Sequence, residues 1–188
     1  MYGMVNKAVE AMVRSSYGDA TWQTIRQQAE VSEALFVTMH QYPDDLTYRM
    51  IGAASEVLAL PADEILREFG RFWTSYTARE GYRELLYLAG DHFVACLQHL
   101  DNLHARVGLS YPQLTPPAFF CTDITERSVC LHYLSERRGL APMVVGLLHG
   151  LADLFSTAIT VQQIASREMD ADHDIFAITF EPHAAASA

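Results

Sequence analysis

Tyr133, Ser135 and Arg137 occupy every second position of the run Tyr133-Leu134-Ser135-Glu136-Arg137. Side chains in a β-strand point alternately to opposite faces, so a strand here places the phenol, the hydroxyl and the guanidinium on one side. Three donors with a fork-shaped cation at the end suit a ligand that carries two carboxylates or phosphates, because arginine binds such groups through two hydrogen bonds. Taken alone, the run is more typical of the water-facing side of an ordinary sheet.

Two histidines and a cysteine form a second candidate site. His92, Cys96 and His99 recur at helical spacing, so one helical face presents two imidazoles and a thiol, which are ligand types that Zn²⁺ binds. A structural zinc site needs a fourth ligand, and the sequence offers no matching pair. The alternative function that these residues leave open is a helical metal-binding enzyme. The sequence has no nucleophile elbow, phosphate-binding loop, dinucleotide-binding turn or HExxH pair.

A third candidate is a lone histidine on an apolar helical face. His104 shares its predicted face with Leu97, Leu100 and Val107. A histidine in such a position is usually a hydrogen-bonded core residue rather than a ligand. Its interpretation therefore depends on the segments that surround it.

The composition limits the classes of function. A chain of 188 residues that is 50% hydrophobic can bury one sizeable core. The formal net charge of −10 disfavours nucleic acid and anionic membrane as partners. The sequence has no apolar run of membrane-spanning length and no secretory leader, so a soluble, cytoplasmic protein is expected. The cysteines, three in number and without CxxC spacing, indicate reduced thiols.

The periodicity predicts helices in the first half of the chain and an antiparallel sheet later. The fold class is therefore α+β: an N-terminal helical subdomain packed on a C-terminal part with a four-stranded antiparallel sheet. A proline-rich connector, 111–117, precedes the first strand. The predicted helices are 5–17, 21–29, 34–37, 43–58, 61–73, 81–107 with a break at 90–91, and 141–155; the predicted strands are 119–125, 127–137, 157–168 and 174–181.

Three segments taken in order resemble a known signature. They are Asp101-Asn102-Leu103-His104, Thr115-Pro116-Pro117 and Tyr133-x-Ser135-x-Arg137. This order and spacing resemble the haem-nitric oxide/oxygen binding (H-NOX) family, which is related to the haem domain of soluble guanylate cyclase. The resemblance covers essentially the whole chain. It implies one domain, 1–188, with haem between the helical part and the sheet part.

The resemblance also implies how the cofactor is held. His104 would be the proximal iron ligand, and Pro117 would press on the porphyrin face. Tyr133 and Ser135 would hydrogen-bond the propionates, and Arg137 would pair with them. Because the sequence has no CxxCH motif, the cofactor would be haem b without thioether links.

The family also suggests which gas binds. Oxygen-binding members carry a tyrosine on the helix after the arginine strand, and with Gly146 as landmark that position is Met143. A thioether cannot donate a hydrogen bond to bound oxygen, whereas nitric oxide and carbon monoxide depend less on a donor. Val5, Trp73 and Leu147 are expected to line the same pocket. The indole N–H of Trp73 is a donor that could partly replace the tyrosine.

The implied function is a haem-based gas sensor rather than an enzyme. It would bind nitric oxide and carbon monoxide at ferrous haem and select against oxygen. Nitric oxide is expected to weaken the bond to His104 and let the N-terminal helices shift. The resemblance implies an output partner in trans: a histidine kinase, a cyclic-nucleotide enzyme or a chemotaxis receptor.

Overall fold

The computed structural model describes residues 1–32, 35–78, 90–111 and 113–181. Within these residues, seven α-helices and a four-stranded antiparallel sheet form the predicted α+β fold. The elements are α1 Gly3–Tyr17, α2 Asp19–Gln28, α3 Asp44–Leu58, α4 Ala62–Thr77, α5 Phe93–Gln98, α6 Leu100–Gly108, β1 Ala118–Thr122, β2 Ser128–Leu134, α7 Ala141–Leu154, β3 Ile159–Ala165 and β4 Asp174–Phe180. No helix of the described part is long and apolar enough to cross a membrane.

Helices α1 to α4 pack around a core of their own. The buried residues of α1, such as Val9, Met12 and Val13, recur at helical spacing and contact buried side chains of the other three helices. Helices α3 and α4 each begin directly after a proline and carry two carboxylates in the first turn. Both features favour a helix N-terminus, because proline needs no hydrogen-bond acceptor and carboxylates stabilise the helix dipole.

The sheet has the strand order β1-β2-β4-β3. Along β2 buried and partly exposed residues alternate, so Val129, Leu131 and Tyr133 face inward. They form a second core with Phe176 of β4 and Leu148 of α7. One face of the sheet is thus covered by helix.

Helices α4 and α7 join the two parts through a close backbone crossing. A Cβ atom on Gly70 would lie 2.1 Å from the Met143 carbonyl oxygen, and one on Gly146 would lie 2.0 Å from the Arg67 carbonyl oxygen. Because these neighbours are backbone atoms, only glycine allows this approach.

The predicted helix at 34–37 is wrong for the residues that the structure describes. Residues 35–37 form a bend and loop, in which Phe36 is buried while Leu35 is 79% exposed. The following residues supply carbonyl groups to the first turn of α1: the amides of Gly3 and Met4 donate to His40 at 2.8 Å and Thr38 at 3.1 Å. These bonds satisfy helix donors that otherwise have no partner, which favours an extended segment.

The strand predicted to reach Arg137 ends at Leu134. The last register pair of β2 with β1 is Ala118↔Leu134, and its last pair with β4 is Tyr133↔Asp174. The chain before Ala118 is Pro116-Pro117, and proline has no N–H to continue the ladder. Ser135 and Arg137 therefore lie in the loop after the strand.

The helix predicted over 81–107 is divided. Its first part, 81–89, lies outside the described residues. Residue 34 of the predicted 34–37 helix and the tail beyond residue 181 also lie outside them. The described part breaks at His99, which separates α5 from α6. Leu97 and His104 thus belong to different helices.

Candidate functional site

A cavity of about 300 Å³ is lined by residues of both the helical part and the sheet part. Its walls are mostly apolar, and its volume falls within the range of small-molecule pockets. The structure brings to this lining all nine residues that the resemblance assigns to the haem site. They are Val5, Trp73, His104, Pro117, Tyr133, Ser135, Arg137, Met143 and Leu147.

His104 is a partly buried imidazole on α6. Burial lowers its pKa from the ordinary value of 6.5, and the nearby charge of Asp101 only partly opposes this. Its Nδ1 atom is enclosed and has no hydrogen-bond partner in the described part of the chain. Its ring stacks on Phe119 with centroids 5.7 Å apart. A neutral buried imidazole of this kind is the form that ligates a metal.

Asp101 helps to fix the helix that carries His104 to the sheet. Asp101 accepts a hydrogen bond from the backbone amide of Phe119 at 2.7 Å. This bond satisfies a donor at the start of β1 and places α6 beside that strand. The position of the imidazole is therefore set by a contact between elements 18 residues apart.

Tyr133, Ser135 and Arg137 form a polar end of the mostly apolar cavity. Tyr133 is 4% exposed. Its burial raises the pKa of the phenol, and a hydrogen bond with Ser135 and the charge of Arg137 act in the opposite direction. The Ser135 hydroxyl also accepts from the Arg137 backbone amide at 3.1 Å. A turn in the loop after β2 thus brings these three side chains to one end of the cavity, as a continuous strand was expected to do.

Arg137 connects the two parts of the molecule. Its Nε donates to Asp44 Oδ2 at 2.7 Å, and its Nη1 donates to the Thr115 carbonyl at 3.0 Å. The amino group of Met1 also binds Asp44. Burial by itself would raise the pKa of this carboxyl group, but the hydrogen bonds from the Met1 amino group and Arg137 hold it below its ordinary value.

Several hydroxyls at the cavity wall are already engaged. Thr47 donates to the side-chain oxygen of Asn6 at 2.6 Å. Thr77 donates to the Trp73 carbonyl at 2.8 Å. The Thr74 hydroxyl differs from these two: it belongs to the same lining, is buried and has no hydrogen-bond partner among the described residues. Neither the Thr47 nor the Thr77 hydroxyl proton is available to a small ligand in this arrangement.

The rival metal site is not assembled. His92 caps α5 by accepting a hydrogen bond from the Ala95 amide. Cys96 is fully buried, and burial raises the pKa of its thiol to about 11. His99 lies at the break between two helices. Among the described residues, no group of three or more His, Cys, Asp or Glu side chains is placed to hold a metal ion.

The sequence did not single out Asp44 or Thr115 as partners of Arg137. The local role of Asp44 is that of a carboxylate in the first turn of α3. Its pairing with a residue 93 positions away leaves no periodic signal in the sequence. Asp101 belongs to the Asp101–His104 segment of the signature, but its bond to Phe119 depends on the docking of α6 against the sheet.

The chain is similar in sequence to soluble guanylate cyclases. Soluble guanylate cyclase gcy-31 of Caenorhabditis elegans is 27% identical over 176 residues, which cover 93% of this chain and 24% of that protein. Soluble guanylate cyclase gcy-33 of the same organism is 31% identical over 169 residues, covering 89% and 18%. The chain thus spans about a quarter or less of the length of these two relatives.

Solved structures share the fold. A crystal structure of an H-NOX protein from S. oneidensis in the Fe(II)NO ligation state has a TM-score of 0.87 and 21% identity, covering 96% of this chain and 99% of that one. An NMR structure of an H-NOX domain from Shewanella oneidensis in the Fe(II)CO ligation state has a TM-score of 0.84 and 21% identity, covering 96% and 99%.

A sequence profile of the family described as Haem-NO-binding matches residues 2–163. This match spans most of the chain, and the structural neighbours have the same arrangement of helices and sheet. The chain therefore belongs to the haem-NO-binding (H-NOX) family of haem-based gas-sensor domains.

Proposed function

We propose that the cavity binds haem b and that the protein senses nitric oxide and carbon monoxide, as one domain over residues 1–188. The observation that carries this proposal is the His104 imidazole, whose Nδ1 has no hydrogen-bond partner among the described residues, at the same cavity as the Tyr133, Ser135 and Arg137 polar end. Haem is an apolar disc with an iron that accepts an imidazole and two anionic propionates, so it matches both features. When bound, it would supply the iron at which the gas attaches.

Within this proposal the residues have distinct tasks. His104 would ligate the iron, and Pro117 would contact the porphyrin. Tyr133 and Ser135 would donate hydrogen bonds to the propionates, and Arg137 would contribute its positive charge there. Arg137 is prepared for this task, because Asp44 and the Thr115 carbonyl hold its guanidinium at the cavity lining.

An absorption spectrum tests haem binding directly. Protein expressed with a haem supply should show a sharp Soret band, and His104→Gly should lose it until imidazole is added. Colourless wild-type protein would refute the proposal. Haem retained at the wild-type level by His104→Gly without imidazole would refute the assignment of the ligand.

The rate of haem loss tests the role of Arg137. Arg137→Ala should release haem to a scavenger protein faster than wild type, because a partly buried charge is lost. Arg138→Ala is the matched control, since that neighbouring side chain is exposed and its backbone carbonyl, which the substitution keeps, accepts the bond from Tyr48. Equal rates of haem loss from the two variants would show that Arg137 does not help to hold the haem.

We also propose selection against oxygen. Met143, at the position of the family's tyrosine, has no donor, and the hydroxyls of Thr47 and Thr77 donate elsewhere. Bound oxygen thus receives no hydrogen bond from these three positions, which leaves the Thr74 hydroxyl and the Trp73 indole as the donors to test, whereas nitric oxide and carbon monoxide depend less on a donor. Val5, Trp73 and Leu147 complete this part of the lining.

The test of selectivity is exposure of reduced protein to air and to each gas. Nitric oxide and carbon monoxide should bind without a stable oxygen complex. A stable oxygen complex would contradict the inference from Met143. If Trp73→Phe then abolished that complex, the indole would be its donor.

The signal is proposed to pass to a partner protein, which the family suggests is a histidine kinase, a cyclic-nucleotide enzyme or a chemotaxis receptor, in the cytoplasm. The structural support is the set of contacts that join the helical part to the sheet part, above all Asp44–Arg137 and the α4–α7 crossing. Hydrogen exchange of the haem-loaded protein should change at these contacts when nitric oxide binds. Unchanged exchange there would refute this route.

A further inference from the structure

We propose that Arg167 is a positioning residue for the polar end of the cavity, because it fixes the loop that presents Ser135 and Arg137. This inference rests on the proposed haem function and deepens it. Arg167 is absent from the described lining of the cavity, so it acts through Ser135 rather than on the ligand.

The need for such a residue follows from where β2 ends. The sheet ladder stops at Leu134, so the backbone of Ser135 has no strand partner on either side. The Ser135 carbonyl instead accepts a hydrogen bond from Nη1 of Arg167. A guanidinium donor makes a stronger bond than a neutral one, and both residues are partly buried. Arg167 thus holds the first residue of the loop.

Arg167 is itself held in place. It begins a short 3₁₀ turn, Arg167–Met169, between β3 and β4. Its backbone amide donates at 3.1 Å to Oδ1 of Asp174, which also accepts from Gln163 Nε2 at 2.9 Å. Asp174 is 8% exposed and is the cross-strand partner of Tyr133. One buried carboxylate therefore anchors the turn directly beside the strand that carries Tyr133.

The positive charge of Arg167 also acts on the polar end of the cavity. It favours the ionised form of the Tyr133 phenol and so opposes the rise in pKa that burial causes. Its positive field therefore reaches the end of the cavity where the propionates are proposed to lie. Both arginines thus act as positive charges on Tyr133, the Arg137 guanidinium from the cavity lining and the Arg167 guanidinium from its bond to the Ser135 carbonyl.

The experiment compares haem release from the full chain in three variants. Arg167→Met keeps the length of the side chain but removes the donors and the charge, and should release haem to a scavenger protein about tenfold faster than wild type. Arg167→Lys should fall between the two. Arg127→Met is the matched control: this exposed arginine lies at the opposite end of β2 and should release haem at the wild-type rate.

A spectroscopic readout separates positioning from general loosening. In haem-loaded Arg167→Met, resonance Raman bands of propionate bending should shift while the porphyrin core-size bands stay in place. Wild-type release and unshifted propionate bands in Arg167→Met would overturn the inference, while the proposed function would stand. Wild-type protein that takes up no haem would overturn both. If circular dichroism shows that Arg167→Met does not fold, Arg167→Lys carries the test, and wild-type release by it overturns the inference.

Discussion

The α4–α7 crossing should not tolerate a methyl group at Gly146. In Gly146→Ala the new Cβ would lie 2.0 Å from the Arg67 carbonyl oxygen, where ordinary contacts begin near 3.4 Å. The neighbour is backbone and cannot rotate away, so the helices must separate by about 1 Å and lose contacts along their length. Overpacking of this kind costs about 1–3 kcal/mol. For a chain of this length, each kcal/mol corresponds to about 2–4 °C in melting temperature.

Thermal unfolding followed by circular dichroism is the assay, and Gly52→Ala is its control. Gly52 lies inside α3, and nothing is within 4 Å of its Cβ position. Both substitutions gain the helix propensity of alanine over glycine, about 0.8–1 kcal/mol. Gly52→Ala should therefore raise the melting temperature, and the difference between the two variants isolates the strain at the crossing. Gly146→Ala as stable as Gly52→Ala would refute the close approach.

Three further predictions concern stability and ionisation. Asp101→Ala leaves the Phe119 amide without its partner and should lower the free energy of unfolding in urea by about 1–3 kcal/mol. Asn102→Ala, at an exposed neighbouring position, should change that free energy little, and equal effects of the two substitutions would contradict the anchoring of α6. The pKa of Asp44 lies below its ordinary value of 3.8, so the carboxylate stabilises the fold above that pH, and this contribution is lost as pH falls through the folded pKa. Asp44→Asn should therefore weaken the fall in melting temperature between about pH 5 and 2. The same fall in the variant as in wild type would count against the Asp44–Arg137 pair. Burial and the neighbouring His173 lower the pKa of His132 below 6.5, so the fold favours the neutral imidazole and stability falls as pH drops below that value. An NMR titration should show this low pKa, and His173→Gln should raise it. An unchanged pKa in His173→Gln would exclude the coupling between the two histidines.

The sequence predicted the helical core well because its signals are local. Apolar residues at helical spacing and prolines before acidic first turns each act within a few residues, and α1, α3 and α4 begin and end close to the expected positions. The prediction at 34–37 failed because that segment has one buried anchor, Phe36, and its neighbours cap the first turn of α1. A capping role of this kind is visible only once α1 and the loop are in contact.

In the candidate site, too, local sequence signals were readable and long-range contacts were not. The order of His104, Pro117 and the Tyr133–Arg137 run in the sequence was sufficient to identify the family and to select residues that line one cavity. Their roles toward haem stay predictions. The partners that orient them, Asp44 for Arg137, Asp101 for α6 and Arg167 for Ser135, are joined over long sequence separations. Pairwise contacts of this kind leave no spacing pattern in a single chain.

The Tyr133–Arg137 run makes the distinction concrete. The sequence by itself determined which side chains are available and that an alternating pattern brings Tyr133 and Ser135 toward the same side. Only the tertiary structure decided that the strand ends at Leu134, because the prolines before β1 and the start of β4 remove its partners. Ladder hydrogen bonds require a neighbouring strand, so the length of a strand is a property of its sheet. The polar end of the cavity is consequently a loop, and contacts from Asp44 and Arg167 give it the fixed geometry that a strand was expected to provide.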